Sequence, residues 1–323
     1  IYWIFTFAIV YLYSLYNLYK EVPEKEAIQV QLVHLSLPPS DSDQPGPVAL
    51  SNLLKQNIEA RPQEPDLIVL PDLGRALNPC TYQGAQITDL EATLKALNPD
   101  LPSASILCGV SLRDPNIAEQ EPLSTALQLK AGQIQAKRQR HRRVPGSEMP
   151  FLSLPQNWTK NLFPPGFYLG NSDTPSATLP FFIPSAEDSL AILPLLSYEM
   201  LFGNVPSAFP QKQVGLLVYM VDNSWWGNRL SQKQLIALAK IRAIESRKPL
   251  IINANPSISA YINRNGQVQK TFSKTSTGTS NLTLRPNTKI TFYTQFGDYL
   301  GRLSWFLAIA LFLSGLVRKK TQK

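Results

Sequence analysis

The sequence predicts an α/β sandwich flanked by two membrane helices, on three observations. Strand-like and helix-like runs alternate from Ala27 to Asp298, βαβ-type units precede hairpins along the chain, and both ends are long apolar runs. Such a mixed order favours a sandwich over a closed barrel, and the chain holds no glycine-rich phosphate loop.

The first element is the apolar and aromatic run from Ile1 to Leu18, which lacks the basic start and small-residue cleavage site of a signal peptide. Tyr11, Tyr13, Tyr16 and Tyr19 suit the interfacial end of a transmembrane helix, so residues 1–20 are expected to be such a helix, with the sequence cut at Ile1. Gln29 to Leu35 then alternates polar and apolar residues as a strand does, and Asp66 to Leu70 is a short buried-type strand ending in Pro71-Asp72. Helical periodicity is expected at Val48 to Ile58 between them and again at Ile87 to Leu97. Ser105 to Val110 is a further apolar strand, and Leu127 to Gln135 reads as a hairpin around Ala131-Gly132.

Met149 to Ser185 is rich in Pro, Phe, Leu and Asn without a clean period, and is expected to be a lid or an insertion. Leu190 to Leu196 and Gly215 to Val221 are apolar runs too short for helices. Ser231 opens a helix in which Leu235, Leu238, Ile241 and Ile244 recur up to Arg247. Strands follow at Pro249 to Asn253, Ser257 to Ile262 and Val268 to Phe272, with Asn265-Gly266 as a hairpin turn. Leu300 to Val317 is the second apolar run, close to the ~20 residues that span a bilayer. Only Arg302 interrupts it, near enough to the start to snorkel. The Arg318-Lys319-Lys320 sequence that follows places residues 318–323 in the cytoplasm by the positive-inside rule. Residues 27–298 are then an extracytoplasmic domain.

Composition narrows the function. With 44% hydrophobic and 17% charged residues among 323, the chain has enough apolar surface for a sizeable core and is not disordered as a whole. Mean hydropathy of −0.11 excludes a polytopic membrane protein as its bulk. Two cysteines, Cys80 and Cys108, and two histidines, His34 and His141, make neither a disulfide framework nor a four-ligand zinc site, so no metal and no cofactor are expected. The net charge of +8 is local: Lys137, Arg138, Arg140, Arg142 and Arg143 carry five positive charges and the C-terminal tail four more. Without a basic stripe interleaved with aromatics, nucleic acid is not an expected partner.

Several motifs bear a family likeness. Pro65 to Asp72, Val144-Pro145 with Glu148, Ser197-Tyr198-Glu199, Asp222 to Gly227 including Trp225-Trp226, and Arg242 to Glu245 with Pro249 resemble the carbon–nitrogen hydrolase (nitrilase) superfamily. Phe292-Tyr293 and Phe296-Gly297-Asp298, followed directly by an apolar helix, are similar to the end of the apolipoprotein N-acyltransferases within it. The resemblance covers most of the chain from Ala27 onward and implies a four-layer αββα fold facing the periplasm of a bacterial inner membrane, with residues 1–20 as the last helix of a membrane bundle. It also implies a site in which a cysteine thiolate attacks, a glutamate moves the proton and a lysine stabilises the oxyanion. In that family the set carries a fatty acyl chain from a phospholipid to the N-terminal amine of a lipoprotein.

The chain departs from the pattern at all three positions. Asp72 stands for the glutamate, Arg140 for the lysine and Ser197 for the cysteine, while Glu148, Tyr198 and Glu199 are kept. A three-residue slip would put Lys137 in place of Arg140, but Val144-Pro145 fixes the register. Serine is a weak nucleophile without a strong, well-placed base. Asp is shorter than Glu by roughly 1.5 Å, and a misplacement near 1 Å costs on the order of 100-fold. Arginine keeps the charge without exchanging a proton.

The expectation is a membrane-anchored, catalytically silent relative that binds a phospholipid, a lipoprotein or a protein partner in the cell envelope. The alternatives are an acyltransferase or amide hydrolase with Ser197 as nucleophile, and a structural subunit of a membrane assembly. Trp225 and Trp226 either line a pocket mouth or fill the core after a strand. The run from Lys137 to Arg143 either binds lipid phosphates or an acidic partner, or is a solvated loop. Cys108 is expected in the core, with pairing to Cys80 the alternative.

Overall fold

A computed structural model describes residues 2–20, 26–35, 52, 65–74, 80–83, 86–87, 104–113, 123–130, 133–140, 180–184, 189–203, 205, 214–223, 229–255, 258–272 and 277–321. The helices expected at 48–58, apart from residue 52, and over most of 87–97, the bulk of 149–185, and Glu148, Trp225 and Trp226 lie outside these residues.

The described strands form two mixed sheets. The first holds β1 (Ile28–His34), β2 (Leu67–Asp72), β3 (Cys80–Gln83), β4 (Gln86–Ile87), β5 (Ser105–Arg113), β6 (Leu123–Lys130), β7 (Gln133–Gln139) and, at the far edge, β14 (Gly278–Leu284). In it β1, β2 and β5 run parallel, and β6 and β7 fold back as a hairpin on β5. The second holds β8 (Phe181–Pro184), β9 (Ser189–Leu196), β10 (Val214–Asp222), β11 (Leu250–Asn255), β12 (Ser259–Ile262) and β13 (Val268–Phe272), with β9, β10 and β11 parallel.

The sheets are stacked by their shared apolar faces. Alternate residues of the parallel strands, Leu32, Leu67, Val69 and Leu107 on one sheet and Ile192, Leu196, Val218, Met220 and Ile251 on the other, form one buried cluster. Each such side chain contributes ~1.5–3 kcal/mol on burial. Continuous apolar sequence follows from this placement, because β9, β10 and β11 are buried on both faces. Asn253 pins the two sheets together: its buried Nδ2 donates to the carbonyls of Val33 at 3.1 Å and Val69 at 2.8 Å.

Helix α2 (Arg229–Ser246) covers the outer face of the second sheet with Ala239 and Ala243, both fully buried, beside Leu217, Tyr219, Leu250 and Ile252. The expected apolar stripe is corrected here, since Ile241 and Ile244 are 45% and 43% exposed. A repeat of three drifts backwards by about 60° per step on a helix of 3.6 residues per turn, so its later members leave the buried face.

Other expectations are also revised. The hairpin expected at 127–135 is longer, extending from Leu123 to Gln139. Phe181–Pro184, inside the expected lid, is an edge strand paired with β9. Ile87 stands in a strand, not a helix. Strands β3 and β14 and the short helix α3 (Phe292–Phe296) were not expected from the sequence.

The terminal helices are α1 (Tyr2–Tyr19) and α4 (Tyr299–Thr321). Gly297, at φ 64°, closes α3, and Asp298 then caps α4 by accepting from the Gly301 N–H at 2.9 Å. Among the described residues no helix is long and apolar enough to cross a membrane, and the spans expected at 1–20 and 300–317 are not established. In α4 the uncharged stretch lies between Arg302 and Arg318. That is about 22 Å of helix against a hydrocarbon core of about 30 Å.

Candidate active site

Two of the residues expected at the site, Asp72 and Ser197, stand at the C-terminal ends of parallel strands, the usual place for a site in such a sheet, and Asp222 joins them there, whereas the expected Arg140 follows a strand of the antiparallel β6–β7 hairpin. Asp72 ends β2, Ser197 follows β9, Asp222 ends β10 and Arg140 follows β7. Of these, Ser197 and Asp72 meet directly: the Ser197 hydroxyl donates to Asp72 Oδ2 at 3.4 Å.

Ser197 sits at φ 44°, in the left-handed region that a residue with a side chain adopts at a cost. It is the first residue of a 3-10 turn (Ser197–Leu201) that follows β9, so strand, strained residue and helical turn succeed one another. That succession lifts the side chain off the end of the sheet. The buried Tyr219 hydroxyl holds the turn by donating to the Ser197 carbonyl. Burial, reinforced by the negative charges of Glu199 and Asp72, pushes the Tyr219 hydroxyl far up, so it stays a donor.

Asp72 is 7% exposed. Its Oδ1 accepts from the Gly74 N–H at 3.0 Å. Burial is the main cause that pushes its carboxyl up to about 6, with Asp222 adding to the rise and the Gly74 N–H, Arg140 and Ser197 opposing it. The neighbouring strand must be bare where it passes this carboxyl. A Cβ on Gly109 would stand 3.0 Å from Asp72 Cγ, so a side chain there would displace the group.

Glu199 is fully buried and fully engaged. Arg138 grips it with two N–H donors, at 2.8 Å to Oε2 and 2.6 Å to Oε1, and also donates to the Pro194 carbonyl at 2.9 Å. The Leu196 N–H donates to Glu199 Oε2 at 2.9 Å, which fixes the peptide just before Ser197. Arg138 therefore leaves the solvated or lipid-binding run in which the sequence placed it. It is 1% exposed and stands inside the sandwich. The alternation Ile134, Ala136, Arg138 along β7 was the signal that could have found it, because residues two apart share a face. Tyr198 is half-buried and packs edge-on against Phe202 with ring centroids 5.3 Å apart.

Cys108 is fully buried in a cluster with Ile68, Leu70 and Val110, apart from the cluster shared by the two sheets. No group of His, Cys, Asp and Glu among the described residues could hold a metal ion. His34, whose Nδ1 lies 3.2 Å from the Ser259 hydroxyl, is stacked near Phe272 and pushed down to about 4 by burial.

With this geometry in place, comparison with known proteins locates the chain. No family model matches it. It is 28% identical over 188 residues to an apolipoprotein N-acyltransferase of Haemophilus ducreyi, covering 57% of this chain and 35% of that one. It is 30% identical over 109 residues to one of Photobacterium profundum, covering 34% and 21%. The matches thus span about a third or less of these relatives' own lengths. Among solved structures it is similar to a Saccharomyces cerevisiae member of the nitrilase superfamily (TM-score 0.58, 12% identity, 85% of this chain and 96% of that one). It is also similar to a Nesterenkonia amidase mutant that carries an acetamide moiety covalently on its active-site cysteine (TM-score 0.54, 15% identity, 88% and 98%). The fold is a nitrilase-like sandwich of two mixed sheets, and the sequence relatives are named apolipoprotein N-acyltransferases.

Proposed function

We propose that this chain is a membrane-attached relative of the apolipoprotein N-acyltransferases that has lost thiol-based acyl transfer. Its site would hold a phospholipid, a lipoprotein or an envelope protein partner. The observation that carries this reading is the hydroxyl at the head of the strained turn. Asp72, Arg140 and Ser197 stand where the family resemblance expects glutamate, lysine and cysteine. A thiol supplies a nucleophile at neutral pH, and a hydroxyl does so only with a strong base in tight contact. The Ser197–Asp72 separation of 3.4 Å is long beside the ~2.7–2.8 Å usual between hydroxyl and acceptor oxygens.

Membrane attachment is supported by the exposed apolar surfaces of both terminal helices. Trp305, Phe306, Leu311 and Phe312 are each at least 67% exposed on α4, a surface that lipid would cover. Arg302 can reach the interface from the start of the apolar stretch, which brings a short run closer to register with a bilayer. The main domain would then face the periplasm from the inner membrane, with the basic tail in the cytoplasm.

A second reading has one observation in its favour. A carboxyl held at about 6 suits a general base near neutral pH, so Ser197 as nucleophile, Asp72 as base and Arg140 at the oxyanion would make a serine acyltransferase or amidase. The test is covalent labelling of the detergent-solubilised chain with a long-chain alkyl fluorophosphonate, read by peptide mass spectrometry. The expected result is no adduct at Ser197 and a cellular phenotype unchanged by Ser197→Ala. An adduct at Ser197 that disappears in Ser197→Ala would sink the first reading in favour of the second. The triple change Ser197→Cys, Asp72→Glu and Arg140→Lys, assayed for thioester formation, asks whether the scaffold still positions the older set.

A further inference from the structure

Away from Asp72 and Ser197, a cavity of about 420 Å³ lies where both terminal helices meet the domain. Lys20 at the end of α1, Arg247 just after α2, Arg264 in the β12–β13 turn and Lys289 before α3 all line it. Its acidic lining residue, Glu245, is already engaged by Arg242 at 2.6 Å, and none of the four cations makes an ion pair among the described residues. Tyr13, Phe292 and Tyr299 complete the wall on the side of the terminal helices.

Four like charges around one cavity repel, and the fold holds two of the segments that carry them by specific contacts. Arg247 stands at φ 54°, donates to Asn265 Oδ1 at 3.2 Å, and has its carbonyl bound by Asn287 Nδ2 at 2.5 Å. Burial and the neighbouring charge of Arg264 both push its guanidinium down, so an anion between the two would relieve them. Lys289 is fixed through its N–H, which donates to Asn287 Oδ1 at 3.1 Å. Asn287 thus holds both cationic segments, and strained backbone kept at such a place is a mark of use.

We propose that this cavity binds the phosphate of an anionic phospholipid headgroup, with Arg247, Arg264, Lys289 and Lys20 around the phosphate and the aromatic wall toward the acyl chains. The phosphate chemistry follows from the cations alone. Its lipid source rests on the membrane attachment proposed above. Tyr at a membrane interface and cations drawn to anionic lipid are the expected company for such a headgroup.

The test is native mass spectrometry of the detergent-solubilised full chain titrated with phosphatidylglycerol, phosphatidylcholine and water-soluble glycerol phosphate. The expected result is one phosphatidylglycerol bound at least tenfold more tightly than phosphatidylcholine. Arg264→Gln/Lys289→Gln should lose that preference by roughly tenfold or more, while Lys130→Gln, on β6, keeps it. Matching thermal midpoints for the two variants establish that the loss is not unfolding. An unchanged preference in the double variant overturns the site, and glycerol phosphate binding as tightly as the lipid overturns the lipid source. Vesicle flotation of the same chain separates the two proposals. Floating without headgroup preference refutes the cavity alone, and preference without floating refutes the membrane attachment alone.

Discussion

Two buried carboxylates lie close together at the strand ends, and the protein treats them in opposite ways. Glu199, fully buried, is met by a bidentate guanidinium and a backbone N–H. Asp72, 7% exposed, is met by one N–H and a distant hydroxyl, with Asp222 adding repulsion. An ionised carboxylate out of water is costly unless paired and hydrogen-bonded. Glu199 satisfies that condition and serves as a fixed floor that sets the peptide before Ser197. Asp72 does not, and its proton affinity rises instead. The comparison separates scaffold from site within one cluster: the engaged carboxylate holds shape, and the under-engaged one is left to respond to what enters.

The largest expected effect is on the floor. Glu199→Ala leaves Arg138 buried without its partner, and removing one member of a buried pair costs about 3–5 kcal/mol, a large share of the 5–15 kcal/mol typical of a folded domain. Urea unfolding should show the loss, and Arg138→Met/Glu199→Leu should recover most of it, since apolar replacements of similar size remove both charges. If Glu199→Ala shifts stability no more than Asp72→Asn does, the distinction between floor and site fails.

The next effect tests the site carboxyl through pH. Asp72 holds its proton to about 6 when folded and to the ordinary 3.8 when unfolded. Between those values the folded chain binds the extra proton, so this contribution is present in full below 3.8 and is lost as pH rises through 6. Two units correspond to on the order of 3 kcal/mol. His34 acts in the opposite sense. Its pKa falls from 6.5 to about 4 on folding, so the unfolded chain binds the extra proton in that window and stability drops as pH falls through it. The two nearly offset each other between pH 4 and 6. Asp72→Asn should therefore raise stability at pH 7 and expose a steeper rise between pH 4 and 6.5, measured as urea midpoints at unit steps. A pH profile unchanged by Asp72→Asn would show that Asp72 is as well compensated as Glu199.

What the sequence revealed follows the same division. Strands buried on both faces, such as Leu190 to Leu196, are legible because continuous apolar residues can do little else. Asp72 and Ser197 were singled out through the family resemblance, and the structure brings them within one hydrogen bond of each other. Arg138 was not, because five cations in seven residues look like a solvated run, and only the sheet above it supplies the carboxylate that makes burial tolerable. Strand β14, with the sequence Gly-Thr-Ser-Asn-Leu-Thr-Leu, is polar and carries no strand signal of its own. Its conformation comes from seven-residue register with β1. Phe181–Pro184 is likewise a strand because β9 offers an edge. Pairing across long sequence separations is a tertiary fact that local pattern does not record.

The smallest effect is the most pointed for the site. Ser197 is held in the left-handed region at φ 44°, which costs a residue with a side chain roughly 1–2 kcal/mol. Replacement by glycine removes that cost and loosens the unfolded chain by about 0.4–1 kcal/mol. The net for Ser197→Gly is then a gain of roughly 0–1.5 kcal/mol, with the weak hydroxyl contact to Asp72 subtracting little. Ser197→Val, branched at Cβ, should lose stability at the same position. A clear loss in Ser197→Gly would mean that the hydroxyl contributes strongly to the fold, placing it with Glu199 in the scaffold. A gain would mean that the strained turn is kept for something other than stability, at the one position where the family resemblance expects a nucleophile.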